Sequence, residues 1–157
     1  MNKRTLCAFF GENPSELEFG YDEDYYICAA MKYRLVKAIE GLLSEGCSSF
    51  ISTVDEGAAM WGAEACAAIK QLGGNIELIA APTSENQTDR WHPERRERYF
   101  GILECADSIV EPYGELYGED YILKHADVIM ILGSTEHPRL KCLFETARTL
   151  GKTVLTV

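Results

Sequence analysis

A chain of 157 residues, of which 46% are hydrophobic and 25% charged, is long enough to bury a core and too apolar to stay disordered, so we expect one domain over residues 1–157. Its 15 basic and 25 acidic residues give a net charge of -10, which repels nucleic acid and anionic membrane surfaces and disfavours both as partners. No apolar run approaches the roughly 18 residues of a membrane span, and the N-terminal apolar segment breaks at Gly11, so we expect a cytoplasmic protein.

Short apolar runs alternate with segments of helical periodicity along the chain. Leu6–Phe10 is stopped by Gly11 and Pro14, as a buried strand followed by a loop would be. The apolar positions of residues 22–46 then recur at helical spacing, and the same alternation continues to the end of the sequence. Further strands are predicted at 48–54, 76–81, 108–111, 128–132 and 153–157, and further helices at 57–74, 93–103, 120–125 and 138–150.

This order of elements predicts an α/β domain with a three-layer, Rossmann-like architecture. Strands that alternate with helices form a mostly parallel sheet, here of about six strands, with helices on both faces. The run 128–132 is apolar at every position, which is typical of a central strand buried on both faces. The six cysteines include no C-x-x-C pair, and we interpret them as reduced core residues.

Ligands of such sheets bind outside the carboxyl ends of the strands, where helix N-termini present unpaired N–H groups. This rule confines the search to the loops 11–14, 53–58, 82–90 and 133–139. The second loop is the most similar to a phosphate cradle, but two acids, Asp55 and Glu56, occupy its turn. We expect Asp55 to cap the following helix, because an acid at a helix N-terminus takes the place that an anionic ligand needs.

The last of these loops offers small hydroxyl residues after the central strand, followed by Glu136 and His137. No nucleophile or orienting partner is fixed by spacing, so we expect His137 to be a solvent-exposed residue rather than a catalyst. The three histidines share no metal-ligand spacing, and we predict no metal site. Residues 90–98 alternate Arg with Glu, which indicates a helix face of ion pairs, with Arg90 and Trp91 placed to reach the cleft.

Several segments, taken in order, carry a resemblance to a known family. They are Phe19-Gly20-Tyr21-Asp22-Glu23-Asp24, Phe50-Ile51-Ser52, Trp61-Gly62-Ala63-Glu64, Leu78-Ile79-Ala80-Ala81-Pro82, Gln87, Trp91, Arg96-Glu97-Arg98-Tyr99 and His125-Ala126-Asp127. In order and spacing the chain resembles the YpsA-type family of the SLOG superfamily, whose members include LOG nucleotide hydrolases and the DNA-processing protein DprA. The resemblance covers nearly the whole chain and implies a Rossmann-like fold with a site for a nucleotide or nucleotide-derived ligand.

The departures from that family fall at the site that the resemblance implies. Where the family typically reads T-G-H-R-P, this chain has Phe10-Gly11-Glu12-Asn13-Pro14, and where it reads R-N-R-Y, this chain has Gly118-Glu119-Asp120-Tyr121. The family's S-G-x-x-x-G-x-D-x-W corresponds to residues 52–61, with Val54 near a glycine, and its final G-G-T corresponds to Pro138-Arg139-Leu140. Removing a charge-assisted hydrogen bond costs about 1.5–3 kcal/mol, so we expect phosphate to bind weakly.

The leading hypothesis is a non-enzymatic domain that binds a protein partner or a weakly anionic small ligand, with no catalytic residue, metal or cofactor. A protein adaptor predicts an apolar patch on an otherwise acidic surface. The first alternative is a nucleotide or nucleotide-derivative sensor; the second is a LOG-like phosphoribohydrolase, whose P-G-G-x-G-T-x-x-E pattern this chain lacks. A homodimer through the helix face bearing Met60 and Trp61 is a further expectation, with burial of Trp61 in the core as an equal alternative. The candidate ligand-binding residues are Gly11, Glu12, Asn13, Ser52, Thr53, Gly57, Arg90, Trp91, Gly133, Ser134, Thr135 and Arg139.

Overall fold

The computed structural model describes residues 4–134 and 136–157, and within these ranges six short strands form one parallel sheet. The strands are β1 (Leu6–Gly11), β2 (Ser49–Ser52), β3 (Glu77–Ala80), β4 (Ser108–Ile109), β5 (Val128–Leu132) and β6 (Thr153–Thr156). Their order across the sheet is β4-β3-β2-β1-β5-β6, and every neighbouring pair is parallel. The chain therefore reverses its direction of winding between β1 and β5.

Five α-helices of the described residues cover the two faces of this sheet. They are α1 (Tyr26–Ser44), α2 (Ala58–Gln71), α3 (Pro93–Cys105), α4 (Gly118–His125) and α5 (Pro138–Thr149). The buried residues of α1, α2 and α3 contribute to one hydrophobic cluster, and those of α4 and α5 contribute to a second. The predicted α/β, Rossmann-like fold is thereby confirmed. None of these helices is long and apolar enough to cross a membrane.

The central strands divide their side chains between the two clusters. Cys7 and Phe9 of β1 belong to the cluster under α1–α3, whereas Ala8 and Phe10 belong to the cluster under α4 and α5. This alternation follows from the period of two residues in a strand. All five residues of β5 are buried, as the apolar run 128–132 predicted.

Most element boundaries differ from the prediction by a few residues, and two of these differences have a clear physical reason. Strand β4 has only two residues, both exposed, because the chain turns away at Glu111 and Pro112 instead of continuing along β3. Helix α1 begins at Tyr26 rather than at Asp22, because the preceding segment forms successive turns that include Gly20 at φ 56°.

The burial of side chains in the core decides two further predictions from the sequence, the homodimer face and the burial of the cysteines. Met60 and Trp61 are 1% and 5% exposed, so the helix face proposed for a homodimer packs inside the chain's own core. Four of the six free cysteines are buried as predicted. Cys142 is exposed on α5, however, and for this residue the interpretation as a core cysteine is wrong.

Candidate functional site

A cleft of about 270 Å³ opens at the carboxyl edge of the sheet, beside the point where the winding reverses. This is the place where parallel α/β sheets bind ligands. Loops that follow β1, β2 and β3 and the N-terminal turns of α2, α4 and α5 contribute to its wall. The lining residues are Phe10, Gly11, Asn13, Thr53, Asp55, Glu56, Ala59, Thr83, Glu119 and Arg139.

The loop between β2 and α2 is shaped by the buried hydroxyl of Ser52. This hydroxyl donates a hydrogen bond to the carbonyl oxygen of Ala59 at 2.7 Å and accepts one from the N–H of Val54 at 2.9 Å. Between these bonds Val54 has φ 58°, a left-handed conformation that costs a β-branched residue about 1–2 kcal/mol. Val54, which lies near a glycine of the family's motif, thus has a backbone conformation that ordinarily favours glycine.

Gly57 closes the same loop against the segment that follows β1. It has φ 98°, and a Cβ atom at this position would lie 2.8 Å from the carbonyl oxygen of Glu12. Gly11 is equally confined, since its Cβ would lie 2.6 Å from the Cβ of Ala58. Both predicted site glycines therefore serve close packing between the loops of the cleft.

Asp55 does not cap α2, contrary to the prediction from the sequence. The N-cap is Gly57, which makes no side-chain bond, and the Asp55 carboxylate instead accepts the N–H of Glu56 at 3.1 Å. Asp55 lies two residues before the N-cap Gly57, and its carboxylate makes no capping bond to the first helical N–H groups. In the described part of the chain no acceptor binds the N–H groups of Ala58 and Ala59, and Ala59 lines the cleft.

Two carboxyl groups, from Asp55 and Glu119, give the cleft its electrostatic character. Burial raises the pKa of Asp55, with Glu56 N–H and Arg139 acting in the opposite direction. Burial also raises the pKa of Glu119, and the neighbouring charges of Asp120 and Asp55 add to this effect while Arg139 opposes it. The cleft therefore holds two partly buried carboxyl groups whose charged forms are disfavoured by burial.

Arg139 is the cation of the cleft and already has partners there. Its guanidinium donates a hydrogen bond to the carbonyl oxygen of Gly11 and lies 4.0 Å from the Glu119 carboxylate. These contacts compete with any anionic ligand for the same donors. Arg139 therefore offsets the acidic charge of the cleft and does not reverse it.

Glu56 contributes little charge to the cleft, because a cluster with Arg95 and Tyr21 neutralises it. Its carboxylate is paired with the Arg95 guanidinium and is 7% exposed. The same guanidinium stacks 3.9 Å above the ring of Tyr21, whose hydroxyl lies 3.4 Å from the second oxygen of Glu56. The acidic segment 12–24 is in this way fastened to α3.

A second ion-pair cluster, centred on Arg98, joins three of the segments that carry the family resemblance. Arg98 contacts Glu23 and Glu64 at 2.6 Å each, and Lys32 also pairs with Glu23. These residues join the segment before α1 to α1, α2 and α3. None of these four residues lines the cleft, so this ion-pair cluster holds the helices together without contributing to the cleft.

The side chain of Gln87 forms hydrogen bonds to the backbone of both threonines that line the cleft, Thr53 and Thr83. Its side-chain oxygen accepts a hydrogen bond from the N–H of Thr83 at 2.7 Å, and its amide nitrogen donates to the carbonyl oxygen of Thr53 at 3.2 Å. The ends of β2 and β3 are therefore held together. The hydroxyl of Thr83 is 3.2 Å from the same Gln87 oxygen.

The structure brings only part of the predicted site together. Gly11, Asn13, Thr53 and Arg139 line the cleft, whereas Glu12 and Gly57 lie in the adjoining loops and Ser52 lies behind the wall. Gly133 adjoins Glu12, and the Ser134 hydroxyl accepts the N–H of Glu136. Thr135 lies outside the described residues.

Two predicted residues, Arg90 and Trp91, lie away from the cleft. Trp91 packs edge-on against Tyr99 with ring centroids 5.6 Å apart and contacts the main core, because its indole is apolar enough to be drawn under α3. Arg90 is exposed to solvent and is not among the lining residues. The structure therefore does not bring these two candidate residues to the lining of the cleft.

His137 has a structural role. Its Nδ1 accepts the N–H of Arg139 at 3.3 Å as the N-cap of α5, and its Nε2 lies 2.5 Å from a carboxylate oxygen of Glu16. A ring that accepts at Nδ1 and donates at Nε2 has no free lone pair to act as a base. The hydrogen bond from His137 lowers the pKa of Glu16. His137 is half-buried rather than fully exposed as predicted.

Sequence reasoning missed Glu119, Thr83 and Phe10 as cleft residues, and it treated Asp55 only as a cap. For Glu119 a signal existed, because Gly118-Glu119-Asp120-Tyr121 aligns with the family's R-N-R-Y. Thr83 follows a strand end but stands in a long polar loop without a motif. Among residues 4–134 and 136–157, no group of three or more His, Cys, Asp or Glu side chains is arranged to hold a metal ion.

Comparison of the sequence with known proteins gives one family and two similar curated relatives. A sequence model described as the YspA SLOG family (YpsA) matches residues 7–148. UPF0398 proteins of Halalkalibacterium halodurans and Bacillus pumilus are each 26% identical to the chain, over 116 and 104 residues. The matches cover 69% and 66% of this chain but 61% and 55% of the relatives, so the chain spans less than two thirds of their length.

Two solved structures are similar in fold. DprA from Streptococcus pneumoniae has a TM-score of 0.64 at 16% identity, over 98% of this chain and 50% of the DprA chain. The molybdenum cofactor carrier protein from Chlamydomonas reinhardtii has a TM-score of 0.55 at 15% identity, over 98% of this chain and 76% of the carrier. At these identities the likeness establishes the shared fold.

Because Val54 has a left-handed conformation, glycine should be more stable than alanine at this position, which is the reverse of the usual order. We expect Val54→Gly to be more stable than Val54→Ala by about 1 kcal/mol, because glycine adopts φ 58° without strain. Val128, also buried but in regular β5, is the matched position, and there Ala should be more stable than Gly by about 1 kcal/mol. Urea denaturation of the four variants measures both differences; an order in which Ala is the more stable at both positions contradicts the strained loop.

The raised pKa values predict how stability depends on pH. A carboxyl whose folded pKa lies above its unfolded value stabilises the protein only when protonated, so this contribution is lost as pH rises through the folded pKa. We expect Asp55→Asn and Glu119→Gln to raise the Tm at pH 7, with a gain that shrinks as pH falls toward the ordinary values of 3.8 and 4.5.

Asp107 is the control, because its pKa is shifted in the opposite direction. Its bond to Lys70 at 2.7 Å, together with one from Leu78 N–H, lowers the pKa of Asp107. Asp107→Asn should therefore lower the Tm at neutral pH, with a loss that disappears as pH falls below 3.8. Thermal melts at a series of pH values measure all three variants, and equal signs for Asp55→Asn and Asp107→Asn would refute the assignment.

Proposed function

The chain belongs to the YspA SLOG family, as the sequence resemblance predicted, and from that premise we propose that it is a non-catalytic domain that binds a small polar ligand lacking a phosphate group. The observation that supports this is the acidic cleft. Asp55 and Glu119 occupy the place where a phosphate would meet the N-terminus of α2, and Arg139 is already engaged. Two half-buried carboxylates repel an anion and accept hydrogen bonds from neutral or cationic donors.

The remaining groups of the cleft narrow the class of ligand. The N–H group of Ala59 and the hydroxyl group of Thr53 supply donors beside the carboxylate acceptors. A ligand with several hydroxyl and amino groups, such as a nucleoside, uses both kinds of partner. A cleft of about 270 Å³ is at the lower end of the range of ligand pockets, which suits a nucleoside better than a dinucleotide.

A second candidate function follows from the same two carboxyls. Raised pKa values in one cleft are what general acid–base catalysis needs, and hydrolysis of an N-glycosidic bond uses an acid and a carboxylate on two sides of a sugar. In that function one carboxyl would protonate the departing base and the other would activate water. The ribosyl–base bond breaks, and water supplies the hydroxyl and the proton of the products.

Thermal shift against matched pairs of ligands tests the proposed function. We expect adenosine, guanosine, cytidine or uridine at 100 times its Kd to raise the Tm by about 5–10 °C, and the corresponding 5′-monophosphates to give no shift. Asp55→Asn combined with Glu119→Gln should abolish the nucleoside shift. Glu104→Gln, at an exposed position of α3, is the control and should leave it unchanged. Monophosphates that stabilise the protein more than nucleosides do would overturn the proposal.

Turnover separates the two candidates. Incubation with the nucleoside that binds, followed by chromatography for free base, should show no release above the buffer rate if the domain only binds. Release of base that disappears in both Asp55→Asn and Glu119→Gln would replace the binding function by the hydrolase.

A further inference from the structure

An apolar groove of about 340 Å³ lies at the β4 edge of the sheet, outside the cleft. Phe100 of α3, Ile109 of β4 and Tyr113 of the loop after β4 are 50%, 42% and 68% exposed, and all three line it. Large apolar side chains exposed singly are ordinary, but three that converge on one groove mark an interaction surface. This is the apolar patch that a protein adaptor predicts on an acidic surface.

The groove lies beside a free sheet edge. Strand β4 is the last strand of the sheet and pairs only with β3 among the described residues, through Ser108 and Ile109. Free edges accept an added extended segment, whose alternate side chains enter the neighbouring groove. An occupant in an extended conformation therefore matches both the backbone and the side chains of this surface.

The charges of the groove indicate the composition of the occupant. Glu85 and Glu111 line it, and no Lys or Arg of residues 4–134 and 136–157 is among its lining residues. A second copy of this chain would bring the same carboxylates and a net charge of -10 to the contact, so repulsion opposes self-association here. A segment with Lys or Arg next to its apolar residues would instead pair with both acids.

We propose that this groove docks an extended segment of a partner protein in which apolar or aromatic side chains alternate with Lys or Arg. Phe100, Ile109 and Tyr113 receive the apolar side chains, and Glu85 and Glu111 receive the basic ones. The surface is distinct from the cleft but shares a loop with it, since Pro82 and Ser84 line the groove and Thr83 lines the cleft. The docking function stands independently of the ligand proposed for the cleft.

NMR titration of the isotope-labelled protein with three capped heptapeptides tests the docking surface. The first peptide alternates Lys and Phe, the second alternates Glu and Phe, and the third alternates Lys and Ser. We expect only the first to bind, with chemical-shift changes centred on residues 82–85, 99–103 and 109–113. No binding of the Lys and Phe peptide at millimolar concentration, or equal binding of the Glu and Phe peptide, would overturn the proposal.

Substitutions identify the groove as the binding surface. Phe100→Ser combined with Tyr113→Ser should weaken binding of the Lys and Phe peptide by at least about tenfold, the loss typical of removing central aromatic contacts. Tyr26→Ser combined with Tyr33→Ser removes aromatic side chains that are 72% and 63% exposed on α1, and it should leave the affinity unchanged. Equal losses in both double variants would show nonspecific apolar binding and refute the docking site.

Charge reversal gives a readout that misfolding cannot imitate. Glu85→Lys combined with Glu111→Lys should lose the Lys and Phe peptide and gain the Glu and Phe peptide, while nucleoside binding in the cleft stays intact. Unchanged peptide preference would contradict the role of the two acids. Sedimentation of the unmodified chain completes the test, because a dimer that Phe100→Ser and Tyr113→Ser dissociate would replace the partner segment by a second copy.

Discussion

The two hydrogen bonds of the Ser52 hydroxyl hold the loop on which the cleft depends. They tie the end of β2 to the first turn of α2 and keep Val54 in a left-handed conformation that valine by itself disfavours. The turn then delivers the Asp55 carboxylate to the cleft and sets Gly57 against the segment after β1. Because both bonds are buried, loss of the hydroxyl would leave the Val54 N–H unpaired at a cost of about 1–3 kcal/mol.

Acidic residues in this protein fall into two groups with different consequences. Glu23 is paired with Arg98, and Glu56 is paired with Arg95. Both arginines belong to α3, so these ion pairs hold the acidic segment 12–24 against α3 and neutralise the two carboxylates. Asp55 and Glu119 share the cation Arg139 in the cleft, and burial raises the pKa of both carboxyls. The first group stabilises the frame of the family fold, and the second defines what the cleft accepts.

The sequence was sufficient to predict the fold because its signals are local. Apolar runs such as 128–132 and the helix periods between them require only the neighbouring residues to be interpreted. The length of edge strand β4 was overestimated. Ile109 and its neighbours have the local sequence of a strand, but the number of residues that pair depends on contacts with β3. Tertiary contacts decide such lengths.

The site was only partly predictable, for a related reason. Arg139 and Thr53 follow strand ends, and topology alone places strand ends at one edge of the sheet. Glu119 reaches the cleft from α4, the helix that connects the edge strand β4 to β5, and only the alignment of its segment with the family's R-N-R-Y motif indicated that place. Trp91 was predicted to reach the cleft because it precedes α3, but its indole packs against the main hydrophobic core. Burial of a large apolar surface outweighs position along the chain.

The most direct test of the acidic cleft is a carboxyl-carbon NMR titration of Asp55 and Glu119, with Asp107 as an internal comparison in the same spectra. The account predicts that Asp55 titrates above 3.8 and Glu119 above 4.5, while Asp107 titrates below 3.8. If Asp55 and Glu119 instead titrate at or below those values, the cleft solvates or pairs its carboxylates fully. The claim that burial disfavours the charged form of these two carboxyl groups then fails.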